Sequence, residues 1–516
     1  MPTPFQKKAA DSVALSWAPR PYVSVILIGV VLAGCAAGPS FKKPTPESPA
    51  GWSWHGGDTS LQDPDMRANQ APVPERWWEE FDDQTLNALQ VRAAAANLDL
   101  RTAVLHFAQS RAQRRIVAAQ RSPQVDAEAS GNRRRESEHD ATSRLIGAID
   151  PKESGQLEQL LSAPYNLYQA GFDASWELDL WGRVRRSLES ADADVAASAA
   201  TLDGVRIGIE AEVARNYFDL RGIQRQVQLA REDVAAAETY LGLVQARADG
   251  GVITDLDATR QRALLADLRA HLPQLLDQEA QSINQLSLLL GERPGSLQDE
   301  LASREAGSAH MLPNLGLGLP SELARRRPDI RQAEAQLHSA TASIGVAVAD
   351  LYPRITLTGN FGIEAIDVSN LSAWSSRRWA VGPSLDVPIF DMGRRRSVVT
   401  LRKLQQQEAA VLYQRTVLAA WHEVDTTLSG YASERQRNER LAEREKLSRH
   451  AFDLARALCQ GGLTSFLEEL NAQRSMLSAQ RDFADSNSLL AIRLIAIYKA
   501  LGGGLVGDEP APQLAR

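Results

Sequence analysis

Two cysteines in 516 residues, Cys35 and Cys459, leave no disulfide framework to build on. The eight histidines are scattered, and His422-Glu423 lacks the second histidine of a helical zinc motif. No phosphate-cradling glycine loop and no dinucleotide fingerprint occurs, and Cys459 has no histidine beside it. Catalytic residues, metal ligands and cofactors are therefore all read as none, and the chain is not expected to be an enzyme. A formal charge of −7 carries no footprint of nucleic-acid binding. The apolar run at residues 23–32 falls well short of the roughly 20 residues a spanning helix needs. Proline is missing from Arg183 to Asp249, 67 residues rich in Ala, Leu, Arg, Glu and Gln, so nothing there stops a helix.

The apolar run follows Lys7, Lys8 and Arg20, as in a signal peptide. It ends in Leu32-Ala33-Gly34-Cys35, which resembles a bacterial lipobox: residues 1–34 would be removed and Cys35 acylated. Ala36-Ala37 follows, not Asp, which resembles an outer-membrane address. Residues 35–80, rich in Pro, Gly and Ser, read as a lipidated extended tether. Trp77-Trp78, Phe81 and Leu86 read as core anchors where the first helix begins.

What is present is a repeat. Gly182, Gly250-Gly251 and Gly291 recur as Gly393, Gly461-Gly462 and Gly502, each 211 positions later. Arg183 to Asp249 predicts a helix of about 100 Å, turned by Gly250 and Gly251 into a shorter return arm. Helical runs at residues 321–349, with Ser321 as its cap, and 85–120 would fill the rest of that return path. They match each other at an offset of 230, as do Pro123 and Pro353. Leu268, Leu272 and Leu275, then Ile283, Leu286 and Leu290, carry the spacing of coiled packing.

Between the helices lie alternating segments. Tyr168, Ala170, Phe172, Ala174, Trp176, Leu178 and Leu180 fall on one face; Asp173, Glu177 and Asp179 on the other. Ile355, Leu357 and Phe361, and Trp379, Val381, Leu385, Val387 and Ile389, repeat the pattern, with a weaker strand at Val125, Ala127 and Ala129. Such segments, apolar outward and polar inward, mark a membrane β-barrel. Four strands cannot close a barrel, and open edges are not tolerated in lipid, so several chains must share one.

These residues resemble the outer-membrane factors, the TolC- and OprM-like exit ducts, in their NodT-like lipoprotein branch. The most specific stretches are Arg-Arg-Pro-Asp-Ile-Arg-Gln-Ala-Glu at 326–334, Leu-Tyr-Pro-Arg-Ile at 351–355 and Pro-Ile-Phe-Asp-Met-Gly-Arg at 388–394. Thr464-Ser465-Phe466-Leu467-Glu468 after the second glycine turn is similar to the family's hairpin tip. The resemblance implies a mainly α fold with a membrane β-barrel portion. In it a homotrimer shares a 12-stranded barrel, four strands per chain, continuous with a periplasmic α-helical barrel. It also implies a periplasmic adaptor, an inner-membrane pump and outer-membrane lipid as partners, and no nucleic acid. Repeat 1 spans 81–291, with a β-hairpin near 123–181 and a helical hairpin at 183–290; an equatorial connection spans 292–320. Repeat 2 spans 321–502, with hairpins near 353–391 and 394–501, and 503–516 form a tail. The chain departs from the family at Leu458-Cys459, where relatives often carry Arg-Tyr; the first tip keeps Arg247.

The function expected is passive export of drugs or other small molecules from periplasm to exterior. A type I protein-secretion duct and a structural trimeric spacer or adhesin are the alternatives. Asp255 and Asp257 follow the first turn, Glu468 and Glu469 the second, with Arg247 and Arg260 in reach. Acids there either favour the helix dipole or ring a narrow opening. For Asp257 and Glu468 the pore role is preferred; for Asp255 and Glu469 neither reading is.

Overall fold

The computed structural model describes residues 36–45, 73–137, 162–302 and 326–503. The signal peptide, Cys35, Ser321 and residues 504–516 lie outside them. After a 3-10 turn at Trp77–Phe81 come α1 (Gln84–Ala96), α2 (Leu98–Ala119), β1 (Gln124–Arg134), β2 (Tyr165–Glu177), α3 (Arg183–Asp249) and α4 (Asp255–Leu289). The second half holds α5 (Pro328–Ala349), β3 (Arg354–Ala365), β4 (Arg377–Asp386), α6 (Arg394–Gln460) and α7 (Phe466–Ala500). The repeat appears in the bounds themselves. Helices α3 and α6 each have 67 residues and α4 and α7 each 35, all starting 211 positions apart. Helices α2 and α5 each have 22 residues and start 230 apart.

The chain forms two compact units, one of residues 1–41, 115–190 and 341–404, the other of 42–114, 191–340 and 405–516. In the first, an antiparallel sheet runs in the order β1-β2-β3-β4. Two strands are shorter than the alternation predicts, because acidic side chains turn the backbone over to helix. Strand β2 stops at Glu177, and Asp179, expected on its polar face, accepts from the N–H groups of Val184 and Arg185 at 2.9 Å each, capping α3. Strand β4 stops at Asp386 instead of reaching Ile389; Pro388 has no N–H to pair, and Asp391 accepts from the N–H groups of Gly393 and Arg395.

The residues just after Cys35 make specific contacts with the chain. The Ala37 N–H donates to the Trp181 carbonyl at 2.9 Å, and Arg186 donates back to the Ala37 carbonyl at 3.2 Å. Gly38 lies so close to Gly345 that a Cβ would stand 2.5 Å from its Cα, which only glycine permits. The segment following Cys35 is thus packed against the start of α3.

In the second unit the helix expected over residues 85–120 breaks at Asn97. Its backbone is extended (φ −61, ψ 129), and its side chain accepts from the Leu100 N–H and donates to the Leu289 carbonyl. The aromatic anchors behave as expected. Trp77 is fully buried and stacks on Tyr498 at 5.0 Å, and Phe81 meets Phe218 at 4.8 Å. Asp83 caps α1 and accepts the Tyr217 hydroxyl at 2.6 Å, joining α1 to α3.

Candidate functional site

The register puts matching faces in line across the sheet. Ala127, Phe172, Phe361 and Trp379 are successive partners, and so are Val125, Ala174, Gly359 and Val381. Phe172, Phe361, Trp379 and Val381 are all exposed, so this apolar face has no protein cover among the described residues. On the opposite face Asp126, Asp173 and Asn360 line up, and Glu128, Gly171, Gly362 and Arg378 form the next row. An exposed apolar face backed by a charged one suits lipid outside and water inside. Among the described residues, strands β1 and β4 are left as open edges.

Where the sheet meets the helices, charge is paired tightly. Arg183 grips Glu177 with two hydrogen bonds at 2.8 and 2.7 Å, and Arg354 reaches the same carboxylate at 3.8 Å. Trp181 stacks on Tyr352 at 4.9 Å and donates to the Pro353 carbonyl. This network is invisible to strand alternation, because its members come from two separate junctions, β2 to α3 and α5 to β3.

In the second unit are the two glycine turns. The N–H groups of Gly251 and Val252 donate to the carbonyls of Ala248 and Arg247, and those of Gly462 and Leu463 to Cys459 and Leu458. Gly251 and Gly462 sit at φ +71 and +70, closing each helix with a left-handed residue. Gly250 and Gly461 precede them at the helix ends. Asp257 accepts from the hydroxyl and N–H of Thr254, at 2.8 and 3.3 Å, and pairs with Arg260 at 3.5 Å. Asp255 is exposed and reaches Arg262, not Arg260, at 3.8 Å. Glu468 is exposed and forms no ion pair among the described residues, and Arg247 forms none within 4 Å. Glu469 is 1 % exposed, under the apolar face of α7. Its burial was legible in the helical spacing of Phe466, Glu469, Leu470, Gln473 and Leu477.

A sheet with a lipid-compatible face, fed by helices of 67 residues, defines an outer-membrane channel built from sheet and long helices. The family model described as outer membrane efflux protein matches residues 89–292 and 319–503, and the chain belongs to that family. It is 32% identical over 487 residues to the outer membrane protein OprJ of Pseudomonas aeruginosa, covering 93% of this chain and 95% of that protein. To the toluene efflux pump outer membrane protein TtgI of Pseudomonas putida it is 30% identical over 478 residues, covering 92% and 96%. The solved structure of the outer-membrane channel OprN matches with a TM-score of 0.80 at 32% identity, over 91% of this chain and 99% of that one. The protein is an outer-membrane efflux channel.

Proposed function

We propose that three copies close one barrel of about twelve strands and form a passive exit duct, fed by an inner-membrane pump through a periplasmic adaptor. The observation that carries this is the four-stranded sheet with an exposed apolar face and two unpaired edges, β1 and β4. A lone sheet of this kind leaves backbone donors and acceptors unsatisfied in lipid; a closed ring leaves none. Closed rotational symmetry is the ordinary solution for identical subunits.

The proposal extends to the parts of the chain. Residues 1–34 are a signal peptide, Cys35 carries the acyl anchor, and two repeats, 81–291 and 321–502, flank the connection at 292–320. The packing of Ala37 beside Trp181, at the junction of sheet and helix, supports an anchor held at the edge of the bilayer. Small solutes are the cargo class, supported by the relative named for toluene efflux. The gate is assigned to the hairpin tips. Glu468, exposed and without an ion pair among the described residues, is its leading acid; Asp257, held by Thr254 and Arg260, contributes less free charge. Asp255, Glu469 and Arg247 complete the group.

The test is conductance in planar bilayers. Purified protein is expected to give steady single-channel steps that grow when the tips are loosened. Protein that inserts and never conducts would sink the duct and leave a spacer or adhesin.

A further inference from the structure

The two hairpins of the sheet obey the repeat residue by residue. Strand β3 repeats β1 at an offset of 230, and β4 repeats β2 at 211. In the first hairpin Gln124 pairs with Ser175 and Gly131 with Tyr168. Moved by their own offsets, these become Arg354 with Asp386 and Phe361 with Trp379, which are pairs of the second hairpin. The offsets therefore preserve register.

The seam between the hairpins, β2 against β3, has a counterpart that one chain does not make. Its equivalent strands are β4 and β1, the two edges of the sheet among the described residues. A second copy can bring them together. Across the inner seam Asp173 pairs with Asn360 and Ser175 with Thr358. The same offsets carry these pairs to Ser384 with Ser130 and Asp386 with Glu128. All four residues lie on the polar face, because Glu128 and Arg378 share a row and the others are an even number of positions away. A slip of one residue would set polar side chains against lipid-facing ones.

The junction beyond the strands points the same way. Past β2, the Leu178 N–H donates to the Ile355 carbonyl at 2.9 Å, while Trp181 stacks on Tyr352 and donates to the Pro353 carbonyl at 2.7 Å. Past β4, the equivalents of Leu178 and Trp181 are Ile389 and Met392, which are 85 and 90 % exposed, and Phe390 between them is 84 % exposed. The equivalents of Tyr352, Pro353 and Ile355 are Ser122, Pro123 and Val125, which adjoin the β1 edge. Clustered apolar side chains this bare mark a contact surface. The first repeat shows what covers it.

We infer that β4 and residues 387–392 of one copy dock on residues 121–134 of the next in this register. Ser384 then stands opposite Ser130, the Ile389 N–H donates to the Val125 carbonyl, and Met392 rests on Ser122 and Pro123. The inference deepens the shared-barrel reading and rests on it.

The test is oxidative cross-linking of full-length, lipidated protein in outer-membrane fractions, in a Cys459→Ser background. Leu178 and Ile355 form a hydrogen-bonded pair, so Asp173–Asn360, five positions along, is a non-hydrogen-bonded one, and so is its counterpart Ser384–Ser130. Side chains stand closest in such pairs. Ser384→Cys with Ser130→Cys is expected to give disulfide-linked trimers about tenfold faster than Ser384→Cys with Glu128→Cys or Asn132→Cys, because diagonal partners lie beyond disulfide reach. Met392→Cys with Ser122→Cys, joined by a short bismaleimide, is the second pair and decides if the first fails to assemble. Faster linkage through position 128 or 132 overturns the register. A complex of three chains that links at neither pair overturns the docking and leaves the shared barrel standing. A protein that stays a single chain refutes the shared barrel itself.

Discussion

Phe172→Arg and Asp173→Arg differ by one position and should have opposite fates. Phe172 lies one residue from the centre of the 13-residue β2, with Ala127 and Phe361 beside it and Trp379 one strand further. It is 58% exposed among the described residues. An arginine there would sit near the bilayer midplane, at a cost of about 2–4 kcal/mol. Three copies incur it together, so assembly loses about 6–12 kcal/mol, enough to abolish the trimer. Asp173 faces the other way, with Asp126 directly across and Asn360 on the far side. Like charges opposed on neighbouring strands repel, so Asp173→Arg exchanges a repulsion for an attraction of about 0.2–1 kcal/mol. The assay is heat-modifiability on gels of outer-membrane fractions: Phe172→Arg is expected to lose the folded band and Asp173→Arg to keep it. The reverse ranking would place the lipid on the polar face and refute the assignment of faces.

Three further outcomes follow from other parts of the chain. Cys35→Ala is expected to lose incorporation of labelled fatty acid while most of the protein stays in the outer membrane; an unlabelled wild type would remove the acyl anchor, each methylene of which adds about 0.8 kcal/mol. Burial, partly opposed by Arg206, raises Glu210 from 4.5 to about 7. A raised carboxyl costs stability as it ionises, so its contribution is favourable below the unfolded value and is lost as pH climbs towards 7. Glu210→Gln should then raise the unfolding free energy near pH 8, by on the order of 3 kcal/mol at most, and leave it unchanged near pH 4; equal effects at both would show that Glu210 does not titrate there. At the tips, Asp257→Asn with Glu468→Gln should raise closed-state conductance and weaken cation preference, most of the change coming from Glu468. Asp257→Asn alone should cost the helix start about 0.3–1 kcal/mol; single-channel recordings in which the double variant matches wild type would move the gate elsewhere.

Much of this fold is legible because it is written twice. The helix bounds of α3 and α6 coincide under one offset because glycine turns and proline-free runs are strong local signals. The strand faces could be read from alternation alone, since lipid and water impose period two without help from distant residues. Other features depend on partners that spacing does not reveal. Asp179 continued the alternation of β2 yet serves α3, because two helical N–H groups compete for it. Asn97 lay inside a good helical run and breaks it, because the Leu289 carbonyl, 192 positions away, takes its amide. Residues 36–41 read as a tether by composition, and composition could not show the close contact between Gly38 and Gly345. Among the candidate gate acids, equal sequence positions gave unequal surroundings. Asp257 finds Thr254 and Arg260, whereas Glu468, 211 positions on, follows Ser465 and finds no ion pair among the described residues.

That several chains close one barrel is tested most directly by counting them. Native mass spectrometry of the intact complex released from detergent micelles is predicted to give three chains, each carrying an acyl mass at its N-terminus. A complex that holds together as one, two or four chains would contradict the shared twelve-stranded barrel.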